Sequence, residues 1–360
     1  MPDTVLVRRL APGRWRIAPP GAPTVADPAP ALDTTVLEVV GGHLSWSLLS
    51  GQRTPAAILH DLPAAQDWLW AVYGEAVALA LDDTPESAEL TAEPLLPATA
   101  TAARRLAYAH WASRWWPAST LDGIPALDQR LLDDEIADLT AACDLLADGD
   151  DARPPVREPA PALLGARAED YALAAGETTG DRTGALTFAR GVGGWDWRRC
   201  PPGLVDASEQ AVSWELTRAG GRTVVRVRAV AAPGLTGDVP AHLRPHALVA
   251  TGSGAVATAL ALSGDAWAGI AETDSQTVTG VEIHVPGVGP AVAEPSETQP
   301  RRTQPRETGS IEAEARARIR ALAVERLARA AAESEAGAPV GTDDPALLAE
   351  IAAAAADSDF

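Results

Sequence analysis

Residues 212–229 carry the tightest pattern in the chain. Val212, Trp214 and Leu216 alternate with polar residues, Gly220-Gly221 supplies the positive-φ pair that a two-residue turn requires, and Val225, Val227 and Ala229 alternate after it. Such a turn fixes the register, because a slip of one residue would swing every apolar side chain to the wrong face. It sets Leu216 opposite Val225, Trp214 opposite Val227 and Val212 opposite Ala229, and it pairs Glu215 with Arg226 on the other face. Turn chemistry, alternation and charge agree on an antiparallel hairpin. Short apolar runs at 247–251, 255–262, 266–272 and 277–285, separated by Gly, Ser and Asp, extend it into an antiparallel sandwich or barrel.

Upstream the apolar period is that of a helix. Trp68, Leu69, Val72, Ala76 and Leu79 recur at three- and four-residue steps, as do Leu132, Ile136, Leu139, Cys143 and Leu146 behind the capping Asp128. A further helix over 99–116 carries Leu106, Trp111 and Trp115 and stops at Pro117. Thr54-Pro55 reads as a helix start that Pro63 interrupts, and only 5–10 and 35–40 read as strands. The expected class is α+β. A mainly helical N-terminal domain with a small β element (1–148) is joined by a linker (149–165) to a β-rich domain (166–290). A polar Pro/Glu/Thr/Gln/Arg linker (291–309), expected to be disordered, leads to C-terminal amphipathic helices (310–360).

Composition excludes several functions. The formal charge is −20, and all 29 basic residues are Arg. A polyanion binds through clustered cations, so nucleic acid is not an expected partner. Without lysine there is no Walker phosphate loop, no kinase lysine and no Schiff base. No apolar run suits a signal peptide or membrane helix, so a cytoplasmic protein without membrane association is expected. Cys143 and Cys200 lie far apart and are expected to be reduced thiols.

No catalytic, cofactor or metal residue is assigned. Gly252-Ser253-Gly254 lacks the third glycine and the helix of a dinucleotide turn. His242, His246 and His284 lack a helix to hold the first two on one face, since Pro240 and Pro245 flank them. Candidate interaction residues are Trp195 and Trp197, which lie in a Gly-rich loop beside Arg198 and Arg199. Such rings either stack on a ligand or seal a sheet edge. The other candidates are Ile319, Leu322 and Leu327, the apolar side of a C-terminal helix whose opposite side carries arginines. An amphipathic helix of this kind needs packing to persist, either on this chain or on another.

Two resemblances add to this. The segment Trp46-Ser47-Leu48-Leu49-Ser50-Gly51-Gln52-Arg53-Thr54, continuing to Ile58 and Leu62 within residues 34–70, is similar to the strand–turn–helix of small winged-helix domains that capture leader peptides. It implies peptide recognition by strand addition. The segments Arg114-Trp115-Trp116-Pro117-Ala118-Ser119-Thr120 and Trp195-Asp196-Trp197-Arg198-Arg199-Cys200-Pro201-Pro202-Gly203 resemble parts of an uncharacterised actinobacterial family. That resemblance implies AAA+ ATPase or von Willebrand A protein partners and transfers no catalytic residue. The leading expectation is a non-enzymatic accessory or adaptor protein of a multi-protein assembly, binding through its β-rich domain and tethered helix. The alternatives are a peptide-recognition protein and an enzyme of unrecognised type.

Overall fold

The computed structural model describes residues 3–27, 31–83, 87–146, 186–219, 221–235, 239–288, 305–336 and 344–357. The linker expected at 149–165 and residues 291–304 of the second linker lie outside these. Among the described residues the protein is mostly β, with fourteen strands in three antiparallel sheets and six helices.

The N-terminal region is strand-rich, which corrects the expectation of a mainly helical domain. Strands β1 (Asp3–Ala11), β2 (Arg14–Ala18), β3 (Thr34–Val39), β4 (Gly42–Ser47), β5 (Ala56–Leu59) and β6 (Ser87–Ala92) form one sheet in the order β3-β4-β5-β2-β1-β6. Four of them, β2, β4, β5 and β6, escape a reading as strands, the first three for physical reasons. β2 and β4 are only five and six residues long, with arginine or serine at alternate places. β5 is buried on both faces, so its four apolar residues show no alternation. The cap-and-proline signature that suggested a helix at Thr54-Pro55 belongs to Asp61 and Pro63. Helix α1 (Leu62–Tyr73) starts at Asp61, whose Oδ1 accepts from the Ala64 backbone N–H at 3.2 Å, with Pro63 inside the first turn. The segment similar to a winged helix is therefore strand, turn, strand.

Helices α1, α2 (Glu75–Asp83), α3 (Pro97–Trp115) and α4 (Gln129–Ala142) supply the rest of the N-terminal region. Trp68, Leu69, Tyr73, Val77 and Leu106 share a core with Val5, Val7, Ile17, Leu44, Trp46 and Leu59 of the sheet. Indole and phenol groups tie this core to backbone: Trp68 Nε1 donates to Val40 O at 2.7 Å, and Tyr73 Oη to Pro55 O at 3.0 Å.

The second half is a sandwich. A three-stranded sheet, β11-β10-β14, faces a five-stranded one, β12-β13-β9-β8-β7. The strands are β7 (Leu186–Gly193), β8 (Val212–Ala219), β9 (Arg222–Val230), β10 (His246–Thr251), β11 (Gly254–Ala259), β12 (Ala261–Ser263), β13 (Ala266–Thr273) and β14 (Val278–His284). The β8–β9 hairpin has the register expected from its turn, Leu216 with Val225, Trp214 with Val227, Val212 with Ala229 and Glu215 with Arg226. Gly221 takes φ 82°, the conformation that called for glycine. Ala247, Val249 and Ile283 from one sheet join Leu216, Val225, Val227 and Trp267 from the other in a buried core. β11 and β12 are separated only by the buried Leu260 and belong to different sheets, so the chain turns a corner there and closes one side of the sandwich. Gly191 permits a second close approach, because a Cβ there would lie 2.6 Å from the Trp214 indole.

Helices α5 (Pro305–Ala336) and α6 (Leu348–Asp357) complete the fold. α5 starts inside the stretch expected to be linker. At 32 residues it is about 48 Å long and spans both halves of the molecule.

Candidate functional site

α5 is seated on its own chain, through arginines that the sequence placed opposite its apolar side. Arg316 donates to both Glu209 carboxylate oxygens at 2.6 and 2.9 Å, and Arg320 bridges Glu209 and Asp122 at 3.2 and 3.1 Å. Further along, Arg326 donates to Glu350 at 2.6 and 2.8 Å and to Asp344 at 2.9 Å, with its guanidinium 4.1 Å from the centre of the Tyr108 ring. Tyr108 Oη donates to Glu350 at 2.5 Å. Arg105 of α3 binds Glu135 and the carbonyls of Pro345 and Ala346. Burial, followed by the Glu350 charge, pushes the Tyr108 phenol well above its ordinary range. The hydrogen-bonding groups of this buried cluster are engaged with each other, and it joins helices.

Glu209 gives the seam a pH signature. Burial alone would raise its carboxyl, but the hydrogen bonds and charges of Arg316 and Arg320 outweigh that and hold it below the ordinary value of 4.5. A depressed folded-state value contributes stability above pH 4.5 that is lost as pH falls through the folded value. Amide exchange across 312–320 is therefore expected to accelerate below that pH, and Glu209→Gln should remove the acid dependence.

The predicted interaction residues are placed as follows. Trp195 and Trp197 are buried, 7 % and 5 % exposed, and Trp195 Nε1 donates to Asp206 O at 2.7 Å. They pack beside β14, where Val285 N donates to Arg199 O at 2.9 Å, so the rings seal the sandwich. Arg198 pairs with Glu312 of α5 at 3.2 Å and Arg199 with Asp196 at 3.4 Å. Ile319 is buried in the core of the sandwich, while Leu322 and Leu327 are half-buried, Leu327 against the contact of α5 with α6.

Sequence reasoning missed the outer face of the N-terminal sheet. There Arg8 of β1 lies directly opposite Arg16 of β2, and Leu6 lies opposite Ala18 on one side and Glu89 of β6 on the other. A groove of about 320 Å³ runs over them, floored by Leu6 and walled by Pro19, Pro20 and Gly21. Like charges directly opposed across a sheet are unfavourable. Arg16 is held by Ala22 O at 3.2 Å and stands 4.0 Å from Asp27, whereas Arg8 has no ion-pair partner among the described residues. β6 is an edge strand, six residues long, with no proline and no bulge against β1. The available signal was local charge, four arginines within residues 8–16 of a strongly acidic chain.

A second depression, about 600 Å³, lies where the β8–β9, β10–β11 and β13–β14 connections meet, lined by Arg218, Arg222, Ser253, Glu272 and Asp274. Its Arg222 and Glu272 already pair at 3.0 Å. Cys143 and Cys200 are buried, and burial pushes their thiols to about 11 and about 12, so both are protonated at neutral pH. His246 and His284 are cross-strand neighbours with ring centres 6.1 Å apart, but no group of three metal-ligating side chains occurs among the described residues. No helix among those residues is long and apolar enough to cross a membrane. Comparison with protein-family models, curated proteins and solved structures returned no match.

Proposed function

We propose that the protein is a non-enzymatic accessory component that holds a protein partner on a preformed surface, the outer face of the N-terminal sheet. The single observation behind this reading is the Arg8–Arg16 groove beside the edge strand β6, an apolar floor next to Arg8, which has no ion-pair partner among the described residues of an acidic molecule. Interfaces draw their specificity from such charge against a complementary patch. The C-terminal helix, expected to be a capturing arm, has Arg316, Arg320 and Arg326 paired with Glu209, Asp122, Asp344 and Glu350, and acts as an internal strap.

A peptide-recognition reading shares the same surface, with β1 and β6 in place of the 34–70 segment as the docking strands. The test is direct binding. An AAA+ ATPase and a von Willebrand A protein are the partners to present, with light scattering after gel filtration as the readout. A complex of fixed stoichiometry that is indifferent to Val324→Glu, on the exposed side of α5, is the expected result. A protein that stays monomeric with every such partner, or that turns over a substrate through one essential side chain, contradicts the proposal.

A further inference from the structure

The geometry points to an acidic, apolar segment of a protein partner as the occupant of the Arg8–Arg16 groove; this deepens the reading above and rests on it. The groove is electrically divided. At one end Arg8 and Arg16 are opposed in the β1–β2 register and both line the groove, and at the other Glu89 is opposed to Leu6. A carboxylate placed between Arg8 and Arg16 relieves their mutual repulsion and is recognised by planar donors suited to it. Two residues along β1, on the same face, Leu6 is 46 % exposed, with Ala18, Pro19 and Pro20 around it, and accepts an apolar side chain. Glu89 disfavours a second carboxylate there, so the segment is acidic at one end and apolar in the middle.

The rest of the molecule strengthens the discrimination. With a net charge of −20, the protein repels an acidic segment everywhere except over a local cationic patch. Residues 8–16 are such a patch, with Arg8, Arg9, Arg14 and Arg16 on one hairpin. Arg9 lies 5.5 Å from the centre of the Trp15 ring, and of the two arginines that line the groove, Arg8 is the one without an ion-pair partner among the described residues.

The test uses the full chain and a fluorescein-labelled decapeptide with Glu at one end and Leu in the middle (Glu–Leu), read by fluorescence anisotropy. Matched Lys–Leu and Glu–Ser decapeptides serve as controls. Saturable binding of Glu–Leu, weakened at least tenfold by Arg8→Glu and by Leu6→Asp and untouched by Arg218→Glu, is expected. Raising salt should weaken it. Binding that ignores Arg8→Glu, no binding of Glu–Leu, or equal binding of Lys–Leu overturns the inference. Self-association of the free protein through the same residues, seen by light scattering, overturns it in favour of a second copy as occupant. The accessory reading itself stands or falls on whole partners, so a partner complex indifferent to Arg8→Glu removes the groove and leaves the broader function.

Discussion

Replacing Arg326 by alanine is expected to lower stability by about 3–5 kcal/mol, the range for removing one member of a buried ion pair. Arg326 is 3 % exposed and Glu350 0 %. Without the guanidinium, the fully buried Glu350 carboxylate keeps, among the described residues, the Tyr108 hydroxyl at 2.5 Å and the Leu347 N–H at 2.7 Å. A lone buried charge costs far more than a paired one. The pair itself need not stabilise, so the double replacement Arg326→Met, Glu350→Leu should recover most of the loss. Urea unfolding of the single and double variants checks both statements. A double variant no better than Arg326→Ala would show that the seam acts through packing and not through charge.

Trp267→Ala should cost about as much, roughly 3–5 kcal/mol, by a different route. The side chain is 1 % exposed and lies within β13, opposite Ala229 of β9 and Leu262 of β12. Small Ala229 leaves the space that the indole fills. Its Nε1 donates to Leu204 O at 2.7 Å, fastening the loop before β8 to the sandwich. Trp267→Phe keeps most of the volume and loses the donor, so it should cost about 1–3 kcal/mol, the desolvation penalty of an unpaired buried carbonyl. Equal losses for Phe and Ala would place the value of Trp267 in its hydrogen bond alone.

The sequence was legible where structure is decided locally. The β8–β9 register follows from a two-residue turn, and the α4 cap from Asp128, whose Oδ1 accepts from Arg130 N at 2.8 Å. Strands β2, β4 and β5 were not legible, because the alternation of β2 and β4 lasts only five and six residues, and β5, buried on both faces, shows none. Long-range charge was invisible for another reason. Tyr108 meets Glu350 across 242 positions, and no local pattern announces such a partner. The destination of the C-terminal helix therefore could not be chosen from its own amphipathicity. The groove fell between these cases: four arginines were in view, but only the β1–β2 pairing sets Arg8 opposite Arg16.

Hydrogen exchange on the monomer, with and without the Glu–Leu decapeptide, tests most directly whether partners meet a preformed surface while the C-terminal helix serves as a strap. Slow exchange at 312–333 in both states, with new protection confined to 4–21 and 87–92, is the predicted result. Fast exchange at 312–333 in the free protein that slows only when peptide is added would contradict it, since α5 would then be an arm that orders on its partner.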